Sequence, residues 1–376
     1  MLHNILFVCV IVILLVLVVR AVLPLTLKIR YKFAAIMLIL LMCSRAYVDR
    51  IVGGSIFDPQ LSRIPLVLLN SLFCTAIGLV VYCFLRDICN IPIKVFRRSF
   101  KKTFISVSSP LLLALMTVLW FALSCYACAN AWMSPEIHEQ TIYLKNLPES
   151  AENYRIAFLA DMHINRLSRS SEIEDYVNLV NAQHPDLILI GGDFQDGRVS
   201  EIGDRAQILY RLKAKDGIYA CEGNHEIYWD YEQWKGFYGK GGIVFLDNSH
   251  TEISRNGQII LTVAGVLDTA SSLEVLSTVH NARKEVPLIL LSHRPSKAGA
   301  VKGNADLVLS GHTHGGMAPG LDCLVALANS GYVAGQYYLE QGTKLWVSRG
   351  TSMWQGFALR LFNPAEILFF TLKRAD

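Results

Sequence analysis

Residues 186–193 read "DLILIGGD": four large apolar residues, then two glycines and an aspartate. A run this short is bounded too tightly for a helix and reads as a buried strand that stops at a polar turn. The same sentence recurs along the chain as "YRIAFLAD" (154–161), "GIYACEGNH" (217–225), "QIILTVAGV" (258–266), "VPLILLSH" (286–293) and "DLVLSGHTHGG" (306–316). "KLWVSRG" and "EILFFTL" near the C-terminus read as closing strands. Amphipathic stretches at 171–183, 205–214 and about 272–284 read as helices between them. Strands alternating with helices predict a layered α/β domain with two sheets.

The strand ends carry the chemistry. Asp161 and His163 close the first unit, Asp193 the second, Asn224 and His225 the third. His293 follows "LILLS", and His312 with His314 follows "LVLSG". In a layered α/β domain the carboxyl ends of the strands share one edge, where sites are built. The one-residue gaps in "DMH" and "HTH" are expected to keep both side chains on one face of an extended chain. Oxygen and imidazole donors without thiolate suit Mn²⁺, Fe or Zn²⁺ and disfavour a structural zinc knot. Seven ligands drawn from such a set are too many for one ion with an open position, but suit two ions sharing a carboxylate. Two ions roughly 3.5–4 Å apart can clamp a phosphoryl group and acidify a water between them.

Neighbouring residues are given plainer readings. Asp196 and Glu226 are expected to orient the ligands. Arg294 is read either as a phosphate contact or as a structural ion pair. The aromatic run at 228–239 is read either as an interfacial surface or as core plus a turn. Gly315 and Gly316 are expected to permit close backbone approach. His138, His184, His250 and His280 are assigned no function.

The N-terminal third is a different material. The 376-residue chain is 52% hydrophobic and 18% charged, too apolar for a purely soluble protein. Residues 1–133 hold 13 Lys and Arg against 3 Asp, a net of +10; the remainder holds 22 against 28 Asp and Glu, a net of −6. An acidic globular part lacks the positive field that phosphate backbones require, so nucleic acid is excluded as a partner. Apolar stretches near 4–25, 31–48, 64–85 and 108–130 predict four spans, the second short and interrupted by Arg45. The first has no basic leader and no small-residue cleavage site, so it reads as an uncleaved anchor.

Basic residues in segments 27–32 and 86–102 (Lys28, Arg30, Lys32, Arg86, Lys94, Arg97, Arg98, Lys101, Lys102) place both loops in the cytoplasm. A multi-pass protein of the cell membrane with an extracytoplasmic C-terminal domain follows. The expected layout is a transmembrane region over 1–133, a linker over 134–153 and the α/β domain over 154–376. "CYAC" (125–128) lies in an apolar run and is read as packing, while Cys221 and Cys323 are read as buried free thiols.

Taken in order, D-x-H, G-G-D-x-x-D, G-N-H-E, S-H-R-P and G-H-T-H-G-G resemble the calcineurin-like metallophosphoesterase superfamily. The likeness is greatest to its membrane-associated bacterial group of YkuE-type and YaeI-type phosphodiesterases, and runs from about residue 154 to the end. The resemblance implies a two-sheet α/β/β/α sandwich. It implies Asp161, His163 and His314 on one divalent metal ion, Asn224, His293 and His312 on a second, and Asp193 bridging both. It gives His225 the task of positioning phosphate or protonating the leaving group. The implied reaction is attack of a metal-bridging hydroxide on a phosphoester. A lipid or envelope phosphodiester or pyrophosphate is the favoured substrate of this membrane-anchored enzyme. The alternatives are a cytoplasm-facing nucleotide phosphodiesterase and a non-catalytic membrane sensor or scaffold with a structural metal site.

Overall fold

A computed structural model describes residues 2–53, 59–96, 105, 107–282 and 285–375. The chain divides into two compact units: Met1–Asn130 with Gly356–Leu361, and Ala131–Gln355 with Phe362–Asp376.

The first unit is helical. Helix α1 (Leu2–Leu17) runs on through a π-helical turn at Val18–Val22, followed by α2 (Ile29–Met42), α3 (Arg45–Val52), α4 (Arg63–Phe96) and α5 (Pro110–Asn130). Among the described residues two helical stretches, Arg63–Ile91 and Pro110–Asn130, are long and apolar enough to cross a membrane; Val8–Val22 is apolar but shorter. These two helices approach closely at Gly78, where a Cβ would collide with the Trp120 ring. Small residues at such crossings are how apolar helices pack without a hydrophobic driving force.

The expected span at 31–48 is corrected. Its helix ends at Met42, and α3 starts afresh at Arg45. Arg45 does not reach for a polar interface: it is buried, ion-paired to Asp49, and donates from Nε to Asn70 Oδ1 at 2.9 Å. Gly356 O accepts a further bond from its guanidinium at 3.2 Å. A buried guanidinium must be satisfied by partners, and a four-residue step to Asp49 supplies one only if the chain is helical there. The second basic loop is also redrawn, because Arg86 and Asp87 lie inside α4, where Asp87 pairs with both Arg20 and Arg86. Arg97, Arg98, Lys101 and Lys102 lie outside the described residues.

The second unit is an α/β domain with two mixed six-stranded sheets. The first is ordered β1 (Glu136–Leu144), β14 (Glu366–Arg374), β2 (Arg155–Leu159), β4 (Leu187–Ile190), β6 (Ile218–Ala220) and β7 (Ile243–Phe245). Here β2, β4, β6 and β7 run parallel, and β14 is antiparallel to β2. The second is ordered β12 (Gly335–Tyr338), β13 (Lys344–Val347), β11 (Leu307–Ser310), β10 (Leu288–Leu291), β9 (Gln258–Gly265) and β8 (Ser249–Arg255). Its four inner strands are parallel and its two edges antiparallel. A two-stranded ribbon of β3 (Ile164–Asn165) and β5 (Gln195–Asp196) sits beyond the ends of β2 and β4.

Apolar packing explains the layers. One buried cluster joins Ile156, Phe158, Leu187, Leu189 and Phe370 of the first sheet to Ile260, Val263, Ile289, Leu291 and Leu309 of the second. The other face of the first sheet (Ala157, Leu159, Ile188, Ile190) packs on α6 (Ser170–Ala182) and α7 (Val199–Ala206) through Ile173, Val177, Val180 and Ile202. The other face of the second (Leu288, Leu290, Val308) packs on α10 (Ser272–Asn281) through Val275 and Val279. Strands apolar on both faces are buried on both faces, which is why their runs show no alternation.

Three readings change. The segment 134–153 is no linker: β1 pairs along its nine residues with β14. The expected helix at 205–214 is α7 at Val199–Ala206 followed by a 3₁₀ turn at Gln207–Arg211. The helix expected to 284 ends at Asn281, and residues 283–284 lie outside the described residues. In the aromatic run at 228–239, where α8 (Asn224–Tyr228) gives way to α9 (Tyr231–Gly239), Trp234 and Tyr238 are core while Tyr228 is exposed.

Candidate metal centre

Five parallel strands deliver the candidate residues. β2 leads to Asp161 and His163, β4 to Asp193, β6 to Asn224 and His225, β10 to His293, and β11 to His312 and His314. The first three strands belong to one sheet and the last two to the other. The structure brings all eight together. Donor atoms of Asp161, His163 and His314 lie within 4.8 Å of one another, as do those of His163, Asp193 and His225, and those of Asp193, His293 and His312.

The backbone reaches this arrangement differently from the extended chain expected of "DMH" and "HTH". Asp161 (φ 54°), His163 (45°), Asp193 (55°), His312 (73°) and His314 (48°) all adopt left-handed conformations. The chain turns at each strand end instead of continuing the pleat, so the side chains aim inward by turning and not by alternation. Such conformations cost free energy and persist only where the surroundings fix them. Gly311 shows the crowding: a Cβ there would collide with the Asp161 carboxylate.

Three of the imidazoles are held through Nδ1. His293 Nδ1 donates to Gly191 O at 2.8 Å. Asp196 divides its carboxylate, one oxygen accepting from His163 Nδ1 at 3.1 Å and the other from His225 Nδ1. Glu226 accepts from the backbone N–H groups of Asp193, Phe194 and Gly223, fixing the two strand ends against each other. The orienting roles expected of Asp196 and Glu226 are thus visible as bonds. Arg294 is held by Asp268, Nε lying 2.9 Å from both carboxylate oxygens, and donates to His312 Nε2 at 3.2 Å.

The inner nitrogens turn toward one another and toward Asp193 and Asn224. His293 Nε2 faces Asp193 Oδ2 at 3.2 Å, Asn224 Oδ1 at 3.2 Å and His312 Nδ1 at 3.3 Å. His163 Nε2 faces His314 Nε2 at 3.2 Å. With its Nδ1 donating to Gly191 O, a neutral His293 turns a lone pair on Asp193 Oδ2 and Asn224 Oδ1, which is repulsive unless a positive charge lies between them; His312, accepting from Arg294 at Nε2, turns its Nδ1–H toward His293.

The family model described as calcineurin-like phosphoesterase matches residues 154–316. An uncharacterized metallophosphoesterase of Aquifex aeolicus (strain VF5) is 32% identical over 248 residues, 63% of this chain and 91% of that one. The chain belongs to the calcineurin-like phosphoesterase family. Phosphodiesterase YaeI of Escherichia coli (strain K12) is 31% identical over 196 residues, 50% of this chain and 69% of that one. A zebrafish (Danio rerio) protein named transmembrane protein with metallophosphoesterase domain is 30% identical over 275 residues, 69% of this chain. This chain spans 62% of that relative's length.

The electrostatics of the calcineurin-like phosphoesterase site are those of a cage of opposed charges. Burial alone would raise Asp193, but His293 and His225 beside it hold its carboxyl well below the usual range. Burial and the charge of Asp193 push Asp161 up. Burial opposes the charged form of His293, yet Asp193 and Asp161 outweigh it and lift the imidazole to about 10. His225 is raised to about 9 against burial by Asp196 and Asp193. His312 is driven well below the ordinary histidine value, first by burial, then by His293 and Arg294. Without an ion, the proton on His293 is the positive charge nearest Asp193.

Two contacts have no signal in the sequence. The Trp354 ring lies tilted against that of His314 with centroids 5.3 Å apart, and Asn363 Nδ2 donates to the carbonyls of His314 and Gly315 at 2.8 Å each. Both lie in a stretch without regular periodicity. Cys221 is buried, but Cys323, read as buried, is exposed; both are free.

Proposed function

We propose that the protein is a membrane-anchored phosphohydrolase, of the phosphodiesterase or pyrophosphatase kind, working through two divalent ions on a lipid or envelope phosphoester. Asp161, His163 and His314 would hold one ion; Asn224, His293 and His312 the other; Asp193 would reach both. The observation that carries the reading is His293 Nε2, aimed at a carboxylate, an amide oxygen and a second imidazole while its Nδ1 is committed to Gly191 O. A neutral His293 leaves the carboxylate and the amide oxygen facing its lone pair, and a metal ion, or failing that a proton on Nε2, satisfies both. The donors are oxygen and nitrogen with no thiolate, a set that suits Mn²⁺, Fe and Zn²⁺ alike. When bound, such ions polarise phosphoryl oxygens and lower the pKa of a water held between them.

The chain's own residues do the rest. Asp196 fixes His163 and His225 in one tautomer, so the Nε2 atoms of both face the site. His225 Nε2 lies 3.9 Å from Asp193 Oδ2 and is placed to give a proton to a departing alkoxide. The three apolar clusters support the finer reading of the domain as an α/β/β/α sandwich. The membrane anchor is supported by the two helices of crossing length. Purified protein with Mn²⁺ is expected to hydrolyse bis(para-nitrophenyl) phosphate and to lose that activity on chelation. Turnover that survives chelation would reject the metal-dependent reading, and no turnover with any of the three metals would favour a scaffold.

The domain is proposed to face outward: with the basic residues Lys28, Arg30 and Lys32 retained in the cytoplasm, that orientation requires the fourteen-residue α2 to cross together with α4 and α5. Alkaline phosphatase fused after Asp376 matures only outside the cytoplasm and should therefore be active. An inactive phosphatase fusion beside a fluorescent green-fluorescent-protein fusion at the same point would reverse the orientation and bring nucleotide substrates forward.

A further inference from the structure

Helix α11 (Leu321–Ala328, "LDCLVALA") is built inside out. A surface helix normally turns its apolar stripe to the core. Here Cys323, Leu324, Leu327 and Ala328 form the outward face, with Leu324 62% and Leu327 82% exposed, and no residue of the helix is buried. Its only charged side chain, Asp322, is occupied with the helix start, accepting from the N–H groups of Gly320 and Cys323.

This helix rests on the metal-site turn. Gly316, two residues beyond His314, has φ +77°, and a Cβ on it would lie 2.6 Å from Asp322 Cβ. Thr313 Oγ1 donates to Val333 O, closing the loop that carries the helix back to the turn. On the other flank Asn363 holds the carbonyls of His314 and Gly315, and the preceding Phe362 is 69% exposed. Exposed apolar side chains therefore stand on both chain segments that brace His314.

We infer that α11 inserts its Leu324–Leu327 face into a lipid bilayer, setting the His312–Gly316 turn at the level of lipid headgroups. The inference rests on the membrane-anchored phosphohydrolase proposed above and narrows its substrate to a phosphoester borne by a membrane lipid. A bilayer is the fitting occupant for two reasons. The domain hangs on a short tether, because α5, long and apolar enough to cross a membrane, ends at Asn130 and β1 begins at Glu136. Four small or medium side chains on an eight-residue helix also fall far short of the roughly 800 Å² per partner of a standard protein interface. Single leucines entering the acyl boundary need no such area.

The test uses full-length protein in vesicles of phosphatidylcholine and phosphatidylglycerol. An environment-sensitive fluorophore is attached at Leu324→Cys, with the exposed Cys9, Cys89 and Cys323 changed to Ser, and at Lys213→Cys as an exposed reference. The label at 324 should shift to the blue, be quenched by lipid-borne spin labels and be protected from aqueous iodide; the label at 213 should show the reverse. The double variant Leu324→Glu, Leu327→Glu should keep turnover of bis(para-nitrophenyl) phosphate within about twofold, as a surface change should, while losing turnover of a vesicle-borne phosphodiester lipid. Iodide quenching at 324 equal to that at 213, in protein that turns over the soluble diester, overturns the inference. A label shielded from both quenchers overturns it too, in favour of a second copy of the chain. Absence of soluble-diester turnover in the unmodified protein would strike the proposed activity instead and leave the label readings to stand on their own.

Discussion

Asp193→Asn should lower phosphodiester turnover by at least about 10³-fold, roughly 4 kcal/mol of transition-state stabilisation, and leave the domain folded. Asp193 sits between the two halves of the site: Oδ2 lies 3.2 Å from His293 Nε2 and 3.7 Å from His163 Nε2. Its Oδ1 accepts the backbone N–H of His225 at 2.9 Å, so the same side chain also sets the start of the turn carrying Asn224 and His225. An amide keeps the shape and can keep that bond through its oxygen, but then offers the ions an N–H₂ group in place of a second anionic oxygen. The folded domain should survive because Glu226 independently ties the Asp193, Phe194 and Gly223 amides. Bound metal should fall with the activity while thermal unfolding stays cooperative. A variant that keeps both its ions and its turnover would show that this carboxylate is not shared.

His225→Gln should cost about 10²–10⁴-fold in turnover, the usual worth of a positioned proton donor, with metal content near that of the unmodified protein. His225 lies outside the proposed ligand set, and Asp196 together with Asp193 raises it to about 9 against the effect of burial, which favours the protonated form a proton donor needs. A departing alkoxide needs that proton and a nitrophenolate hardly does. The loss should therefore be larger for alkyl phosphodiesters than for bis(para-nitrophenyl) phosphate. Equal losses for both would assign His225 to holding the phosphate. Loss of metal together with activity would make it a ligand.

The difference between what the sequence disclosed and what it hid follows from where each signal lies. "LILI" before Asp193 and "LILL" before His293 are buried on both faces, so four consecutive apolar residues announce a strand that no other element fits. β1 is half exposed, and its residues Glu136, His138, Glu139 and Gln140 look like solvent-facing chain. Only pairing with β14, more than two hundred residues later, makes it a strand. The antiparallel edges β8 and β12 are hidden for the same reason. Hydropathy over 31–48 could not reveal the break after Met42, because a buried Arg45 satisfied by Asp49 and Asn70 scores as a polar interruption wherever it sits.

At the site, residue types were legible and conformation was not. Aspartate, asparagine and histidine after short apolar runs mark strand ends. The left-handed backbone at Asp161, His163, Asp193, His312 and His314 depends on neighbours such as Gly311 that are distant in sequence or carry no side chain to read. Trp354 and Asn363 touch His314 from a segment whose composition predicts nothing in particular. The outward apolar face of α11 is invisible to hydropathy, which reports how apolar a helix is and not which way it looks.

If two ions act together in this site, titrating the metal-free protein with Mn²⁺ will show it in the stoichiometry of activation. Bound metal per chain is measured by elemental analysis beside turnover of bis(para-nitrophenyl) phosphate. Binding should saturate near two ions per chain, with most of the turnover arriving with the second. Full turnover at one ion per chain, or with none, would contradict it.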